Sequence, residues 1–346
     1  MLRNGPFIRR EGRSSLKRAP IQFITAEQVF VFQLSYFRGA HREKSPRLCL
    51  VRSPVYEALM STTSTTLTLD TSTSRANPTP TPMKRLTVPR IRQRKGGEPL
   101  VMLTAYTVRM AQLLDPHCDL LLVGDSLGQV IYGLPHTVAV TMEMMAAHGA
   151  AVVRGSYHAA VIVDMPFGSY EGSPEQAFNN ASRLLKETGA AGVKIEGGKV
   201  LAPTVEFLTS RGIPVMAHVG LTPQAVNILG GYGVRGKSDE EARSIVEDAV
   251  AMAEAGAFAM VIEGVLEPIA IEITQKVACP TIGIGASAQC DGQVLVTEDM
   301  LGLFERTPKF VKKYAGMSSF VAAAVEQYAK DVRSRNFPSD EQLYLS

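Results

Sequence analysis

Cysteine is scarce in this chain: Cys49, Cys118, Cys279 and Cys290 are scattered over 346 residues with no CxxC pair among them. That spacing excludes a disulfide scaffold and a cysteine-based zinc site, and leaves the reduced thiols of an intracellular protein as the expectation. Long apolar runs are missing too. The stretch 21–37 comes nearest to the roughly 18 uncharged residues of a membrane helix, but Glu27 and three glutamines break it, so no membrane partner is expected. What the larger part of the chain lacks is basic charge. Residues 1–86 carry 14 Lys/Arg and 5 Asp/Glu, residues 87–346 carry 22 and 28, and the net charge of +3 therefore conceals a leader at +9 and a body at −6. An acidic body excludes a surface built to displace counterions from duplex phosphates, and no nucleic-acid partner is expected. Small anions stay open, because they need only local positive charge or a metal.

With 45% apolar and 20% charged residues, the chain can bury a core, and its length alone allows two domains or one large α/β barrel. The first 60 residues stand apart. Arg3, Arg9, Arg10, Arg13, Lys17 and Arg18 with few acids form the composition of a mitochondrial transit segment, which import machinery reads as a basic amphipathic helix and removes. An unaddressed basic tail is the bland alternative. Residues 61–82 hold 13 Ser/Thr and 3 Pro in 22 positions, too polar to offset chain entropy by burial, so 61–86 reads as a disordered linker. Met60 and Met83 offer alternative starts, which would add a cytoplasmic form to one in the mitochondrial matrix.

From residue 99 onward, short apolar runs alternate with amphipathic stretches, the pattern of βα units on a parallel sheet. The runs are 100–106, 120–125, 159–164, 192–196, 214–220, 258–263, 281–286 and, less clearly, 293–297. Between them, 173–188 opens with Ser-Pro-Glu-Gln, which combines an N-cap, a first-turn proline and a capping box, and it stops at Gly189. Helical patterns at 239–255 and 268–277 follow. Eight strands over about 200 residues predict a (β/α)8 TIM barrel at 87–335, with 336–346 as a C-terminal tail, in preference to a doubly wound sheet.

What ends each run carries the function. Leu-Leu-Val-Gly-Asp stops at Asp125, Val-Ile-Val-Asp at Asp164, Val-Lys-Ile-Glu at Glu196, Met-Ala-His at His218 and Met-Val-Ile-Glu at Glu263. Strand C-termini of such a barrel converge on the rim where active sites lie, so these five groups face one pocket. Lys194 lies two residues before Glu196, points to the same side and joins them. Any one acid could merely cap the next helix; five equivalent ends and a lysine argue for a site. Carboxylates packed this closely repel or shift their pKa values, so a cation is expected among them. Asp and Glu oxygens with one His and no nearby Cys favour Mg2+, or Mn2+ as a substitute, over zinc. Such an ion keeps positions open for a chelator, and a 2-oxo acid with its keto and carboxylate oxygens is one.

The motifs around these residues are Leu-Thr-Ala-Tyr at 103–106, Val-Gly-Asp-Ser-Leu-Gly at 123–128, Asp-Met-Pro-Phe at 164–167 and Val-Lys-Ile-Glu-Gly-Gly at 193–198. His-Val-Gly-Leu-Thr-Pro-Gln at 218–224, Asn-Ile-Leu-Gly-Gly-Tyr at 227–232, Ile-Gly-Ile-Gly-Ala at 282–286 and Asp-Gly-Gln at 291–293 follow. In this order they resemble the 3-methyl-2-oxobutanoate hydroxymethyltransferase (ketopantoate hydroxymethyltransferase) family over roughly residues 87–335. The resemblance implies transfer of a hydroxymethyl group from 5,10-methylenetetrahydrofolate to 3-methyl-2-oxobutanoate, giving 2-dehydropantoate in pantothenate biosynthesis. Position by position it implies that Asp125 and Asp164 bind Mg2+ and lie against the oxo acid, and that Glu196 holds the metal directly or through water. It implies that Ser126 and Lys194 contact the substrate and that Glu263 is the base. It also implies a homo-oligomer, and the leader resembles the extension of an organellar form.

Several readings stay double. Lys194 suits the substrate carboxylate or the enolate oxygen, or a structural ion pair with Glu196 or Asp164. His218 suits a substrate contact or a structural hydrogen bond. Residues 230–237 form a mobile cover or merely a tight loop, and Gly283 and Gly285 suit a phosphate cradle or close packing. The helix at 142–153, in which Glu143 is the one Asp, Glu, Lys or Arg, is apolar enough to suit an interface or a buried core. Thr107, Ser287 and residues 169–173 depart from the family pattern without touching the metal ligands. Two rivals remain: another Mg2+-dependent 2-oxo-acid barrel enzyme, such as a carbon–carbon lyase or phosphonopyruvate-type mutase, and a catalytically dead barrel. The first commonly presents a reactive Cys or other general acid on a rim loop, a setting absent around Cys118 and Cys290.

Overall fold

The structure, a computed structural model, describes residues 84–344; the leader at 1–60, Cys49 and most of the linker at 61–86 lie outside the described residues. Eight parallel strands close into a barrel in chain order: β1 (Leu100–Thr104), β2 (Leu120–Val123), β3 (Ala160–Asp164), β4 (Gly192–Glu196), β5 (Val215–Gly220), β6 (Ala259–Glu263), β7 (Thr281–Ile284) and β8 (Gly292–Leu295), with β8 returning to β1. Each predicted run is present. Those at 100–106, 120–125, 281–286 and 293–297 run past the ladder, which ends at Thr104, Val123, Ile284 and Leu295.

Burial on both faces explains why the strands read as unbroken apolar runs. Leu100, Met102, Leu120, Ile162, Met216, Val261, Ile282 and Val294 fill the barrel interior, while Leu121, Val161, Val193, Ala217 and Met260 pack outward against helices. The lower end is stoppered by helix α1 (Val88–Arg92), whose fully buried Ile91 joins the interior layer together with Leu86 and Val88.

The remaining helices are α2 (Val108–Leu114), α3 (Leu127–Val130), α4 (Met142–Gly155), α5 (Pro174–Thr188), α6 (Ala202–Thr209), α7 (Val226–Leu229), α8 (Asp239–Glu254), α9 (Glu267–Lys276), α10 (Thr297–Met300) and α11 (Met317–Arg333). Helix α5 begins as its sequence requires, with Ser173 Oγ accepting from Gln176 N at 3.1 Å and Pro174 in the first turn, and it ends on Gly189 at φ 74°. The capping box closes one residue early, since Gln176 Oε1 accepts from Gly172 N (3.0 Å) and not from the N-cap itself. Helix α4 is a core helix: Met145, Ala146, Gly149 and Val152 are buried, and a Cβ at Gly149 would stand 2.8 Å from Thr188 Cγ2. Helix α11 contrasts with it, having no buried residue and exposing Phe320, Val321, Val325 and Tyr328. Among the described residues no helix is long and apolar enough to cross a membrane.

Candidate active site

Strand register assembles the site. Asp164 on β3 pairs with Lys194 on β4, Glu196 pairs with His218 on β5, and Gly220 at the end of β5 pairs with Glu263 on β6. Each of these side chains lies two residues beyond a position that lines the interior or shares its parity, so strand alternation aims them all into the upper mouth of the barrel. Asp125 arrives from just past β2. Its approach depends on Gly124, where a Cβ would stand 2.7 Å from Ser126 Oγ; with no side chain there, Asp125 N donates to Asp164 Oδ2 at 3.0 Å.

These groups form one continuous polar chain. Lys194 Nζ lies 3.1 Å from Asp164 Oδ1, 3.2 Å from His218 Nδ1 and 3.9 Å from Glu196 Oε1. His218 Nδ1 lies 3.1 Å from Glu196 Oε1, and its Nε2 lies 3.2 Å from Glu263 Oε2, off the line of a well-aligned hydrogen bond. Asp125, Asp164, Lys194, Glu196 and His218 are at most 5% exposed, whereas the Glu263 side chain is 18% exposed to the cavity. Both readings of Lys194 and of His218 meet here, since each side chain is held by its neighbours and also lines the open mouth.

Burial sets the protonation of the chain, and neighbours correct it. It pushes the Asp125 carboxyl up to about 8, and the nearby Glu196 and Asp164 push the same way. Asp164 is raised by burial against the pull of Lys194. For Lys194, burial favours the neutral amine, yet Asp164, Glu196 and Asp125 outweigh it and hold the group above the ordinary lysine value. Glu196 is opposed by burial but drawn below the usual carboxylate range by His218, Lys194 and the Gln224 N–H. Burial and Lys194 disfavour the imidazolium of His218, but Glu196 and Glu263 prevail and push it up to about 9. Asp125 and Asp164 are thus the carboxylates that burial raises, and Glu196 the one that its neighbours keep ionised.

Gln224, a residue that the strand-end pattern does not single out, is the node of the site. Its Nε2 donates to Asp125 Oδ2 and to Met165 O, both at 2.9 Å, its backbone N donates to Glu196 Oε2 at 2.9 Å, and its Oε1 accepts from Tyr170 OH at 2.6 Å. Tyr106 OH lies 2.8 Å from Ser126 Oγ and fixes that hydroxyl at the cavity edge. The cavity, about 300 Å³, is lined by the whole chain together with Thr104, Ser126 and Tyr232, and by an apolar wall from β7, β8 and the segment beyond. Tyr232 brings the 230–237 loop to the cavity, where Gly230, Gly231 and Gly236 take positive φ. Close packing accounts for Gly283, where a Cβ would stand 3.1 Å from Cys290 Sγ. The departures from the family pattern have local roles: Thr107 and Ser173 cap α2 and α5, and Ser287 donates to Glu267 Oε1 at 3.1 Å.

The donor set suits a hard cation. Among the described residues no group of three or more His, Cys, Asp or Glu side chains is arranged to hold a metal ion. Mg2+ does not need such a group, because it is held by one or two carboxylates and keeps its remaining positions for water and substrate. Asp164 Oδ1 faces only the Lys194 ammonium, at 3.1 Å, and Asp125 accepts only through Oδ2 among the described residues. Glu196 has both oxygens engaged, by His218 and by Gln224 N.

A match to the ketopantoate hydroxymethyltransferase family covers residues 85–340. The 3-methyl-2-oxobutanoate hydroxymethyltransferase of Sphingopyxis alaskensis is 85% identical over 262 residues, which is 76% of this chain and 91% of that protein. The enzyme of the same name from Novosphingobium aromaticivorans is 73% identical over 266 residues, covering 76% and 92%. Among solved structures, phosphonopyruvate hydrolase superposes with a TM-score of 0.50 at 14% identity over 76% of this chain and 92% of that one, a likeness of fold alone. By the extent and identity of these matches, the chain belongs to the ketopantoate hydroxymethyltransferase family and is a hydroxymethyltransferase of pantothenate biosynthesis.

Proposed function

We propose that the chain transfers the one-carbon unit of 5,10-methylenetetrahydrofolate to C3 of 3-methyl-2-oxobutanoate, with water supplying the hydroxyl oxygen, and releases 2-dehydropantoate and tetrahydrofolate. The observation that carries this reading is the pair of buried carboxylates Asp125 and Asp164, in which Asp125 Oδ1 has no hydrogen bond among the described residues and Asp164 Oδ1 faces Lys194 alone, at the opposite end of the polar chain from the cavity-facing Glu263. Asp125 and Asp164 would hold Mg2+, with Glu196 beside them acting through water because its own oxygens are engaged. When bound, the ion supplies positive charge at the keto oxygen, where negative charge develops as C3 loses its proton.

The protein's own groups do the rest. Glu263 takes the C3 proton, and His218, bridging Glu196 and Glu263, fixes that carboxylate at the mouth. Lys194, cationic because of the acids around it, faces the substrate carboxylate, and Ser126, held by Tyr106, donates to a substrate oxygen. Tyr232 and the glycine-rich loop around it narrow the mouth against water. The test is turnover by the purified chain with Mg2+ and both substrates; correctly folded protein that makes no 2-dehydropantoate would refute the assignment.

Two further readings accompany this one. A homo-oligomer is supported by the exposed apolar side chains of α11, and sedimentation checks it. Delivery to the mitochondrial matrix is supported by the composition of residues 1–60, and imaging of fusions with and without them checks it. Initiation at Met60 or Met83 is the competing reading; cytosolic signal from the full chain would support it.

A further inference from the structure

The cavity has two unlike halves. Its ionisable chain comes from β2 to β6, while the opposite wall is built by Ile284, Val296, Pro308 and Phe310, with Asp299 the one carboxylate set into it. A small branched oxo acid has no N–H to offer Asp299, and two like charges would repel, so this wall does not suit the first substrate.

We infer that this wall is the platform for the pterin ring of the one-carbon donor, with Phe310 and Pro308 against the ring face and the Asp299 carboxylate accepting from its paired N–H groups. The inference rests on the proposed transfer. A flat heteroaromatic ring with an amino-pyrimidinone edge offers two adjacent N–H donors, and a carboxylate takes both at once. Asp299 is half-buried and makes no hydrogen bond through its side chain among the described residues, which leaves both oxygens for a ligand.

The wall is built rigidly. Gly285 adopts φ 58° at the tip of β7, and a Cβ there would stand 2.6 Å from Phe310 Cδ1, so the phenylalanine ring rests against β7 only because that position has no side chain. The segment carrying Pro308 and Phe310 is pinned at both ends. Lys313 Nζ donates to the carbonyls of Phe304 (2.7 Å) and Glu305 (3.0 Å), Tyr314 N donates to Met300 O (2.8 Å), and Met317 N donates to Leu301 O (3.0 Å). The pairing of Gly285 with Phe310 thus serves a ligand platform, which neither a phosphate cradle nor tight packing alone describes.

The test uses the full chain with Mg2+ and 3-methyl-2-oxobutanoate, comparing wild type with Asp299→Asn and Phe310→Ala. Calorimetric titration with tetrahydrofolate reads the platform, and exchange of the C3 hydrogen into deuterated water, which needs no folate, reads the ionisable chain. Asp299→Asn is expected to weaken tetrahydrofolate binding by roughly tenfold to a hundredfold, and Phe310→Ala by roughly tenfold, with exchange retained. Wild-type affinity in Asp299→Asn overturns the inference, as does a parallel loss of exchange, which would assign Asp299 to proton transfer or to the fold. Weakened binding in Asp299→Asn beside a wild type that forms no product would keep the platform and sink the transfer reading instead.

Discussion

Asp291, immediately before β8 at the lower end of the barrel, tests how the closed sheet is held together. Its carboxylate accepts from Gly96 N (2.7 Å), Thr281 N (2.8 Å), Thr281 Oγ1 (3.0 Å) and Lys95 Nζ (3.0 Å), and its side chain is 5% exposed. Lys95 in turn donates to Thr274 O at 2.5 Å, so one acid ties the residues after α1 to the starts of β7 and β8. Asp291→Ala leaves the part-exposed Lys95 ammonium with Thr274 O alone and strands two backbone N–H groups. Two stranded N–H donors and a partly screened ion pair together cost about 2–4 kcal/mol, less than the sum of the bonds because they are not additive. For a domain of this size that corresponds to a fall in Tm on the order of 10 °C. The pH dependence follows from the direction of the shift. Burial pushes the carboxyl up, but the N–H groups of Thr281 and Gly96 and the Lys95 ammonium more than offset it, so the folded pKa lies below the ordinary value. A carboxyl depressed in the fold contributes fully above its unfolded pKa of about 3.9 and loses that contribution as pH falls through the lower folded value. The Tm gap between wild type and Asp291→Asn should therefore be level from about pH 5 to pH 8 and narrow below about pH 4. Differential scanning fluorimetry across that range is the assay. A Tm for Asp291→Ala within about 2 °C of wild type at pH 7, or a gap that widens on acidification, would refute the reasoning.

Glu263→Gln should bind 3-methyl-2-oxobutanoate with Mg2+ yet lose C3 hydrogen exchange by at least roughly 100-fold, measured by NMR; retained exchange would remove Glu263 from the base role. Gln224→Leu deletes the bonds to Asp125, Met165 and Tyr170 and should lower stability by about 1–3 kcal/mol and turnover by roughly tenfold or more, so a wild-type kcat beside a lowered Tm would confine Gln224 to the fold. Treatment with a chelator should abolish 2-dehydropantoate formation, with Mg2+ or Mn2+ restoring it; full activity after exhaustive chelation would sink the metal reading.

The strands were legible because a barrel strand buried on both faces leaves an apolar run that ends where the chain meets the rim, and the polar residue at that end marks the site. Asp164, Glu196 and Glu263 follow this rule, and Lys194 and His218 lie two residues inside the ends of β4 and β5, on the same side. Gln224 does not, because it reaches the site through the turn at Pro223–Ala225 after β5, and no periodicity records the path of such a turn. The signal was nonetheless present in the motif running from His218 to Gln224, where a buried amide closes a segment that begins at a strand end. Tyr170 lies on a loop and was hidden for the same reason. The roles of Gly285 and Phe310 were also out of reach, since they lie 25 residues apart and meet only because the segment after β8 folds back over β7.

A barrel whose strands are neighbours in chain order turns the linear order of strand ends into an order around the rim. From β3 to β6 the rim reads Asp164, Lys194, Glu196, His218, Glu263, an alternation of acid and base in which each cation lies between two carboxylates. Alternation satisfies these groups internally despite their burial, which would otherwise favour neutral forms. Asp125 stands outside the alternation, adding a carboxylate at the β2 end without adding a cation, and burial first, then Glu196 and Asp164, push its carboxyl up. The other end closes on Glu263, where the chain opens into the cavity. In the proposed reaction the two ends have different tasks. The keto oxygen needs positive charge and belongs at the Asp125 end, and C3 needs a base and belongs at the Glu263 end. Lys194 and His218 hold the two tasks at a fixed separation, so a change at either cation should uncouple substrate binding from proton transfer before it unfolds the barrel.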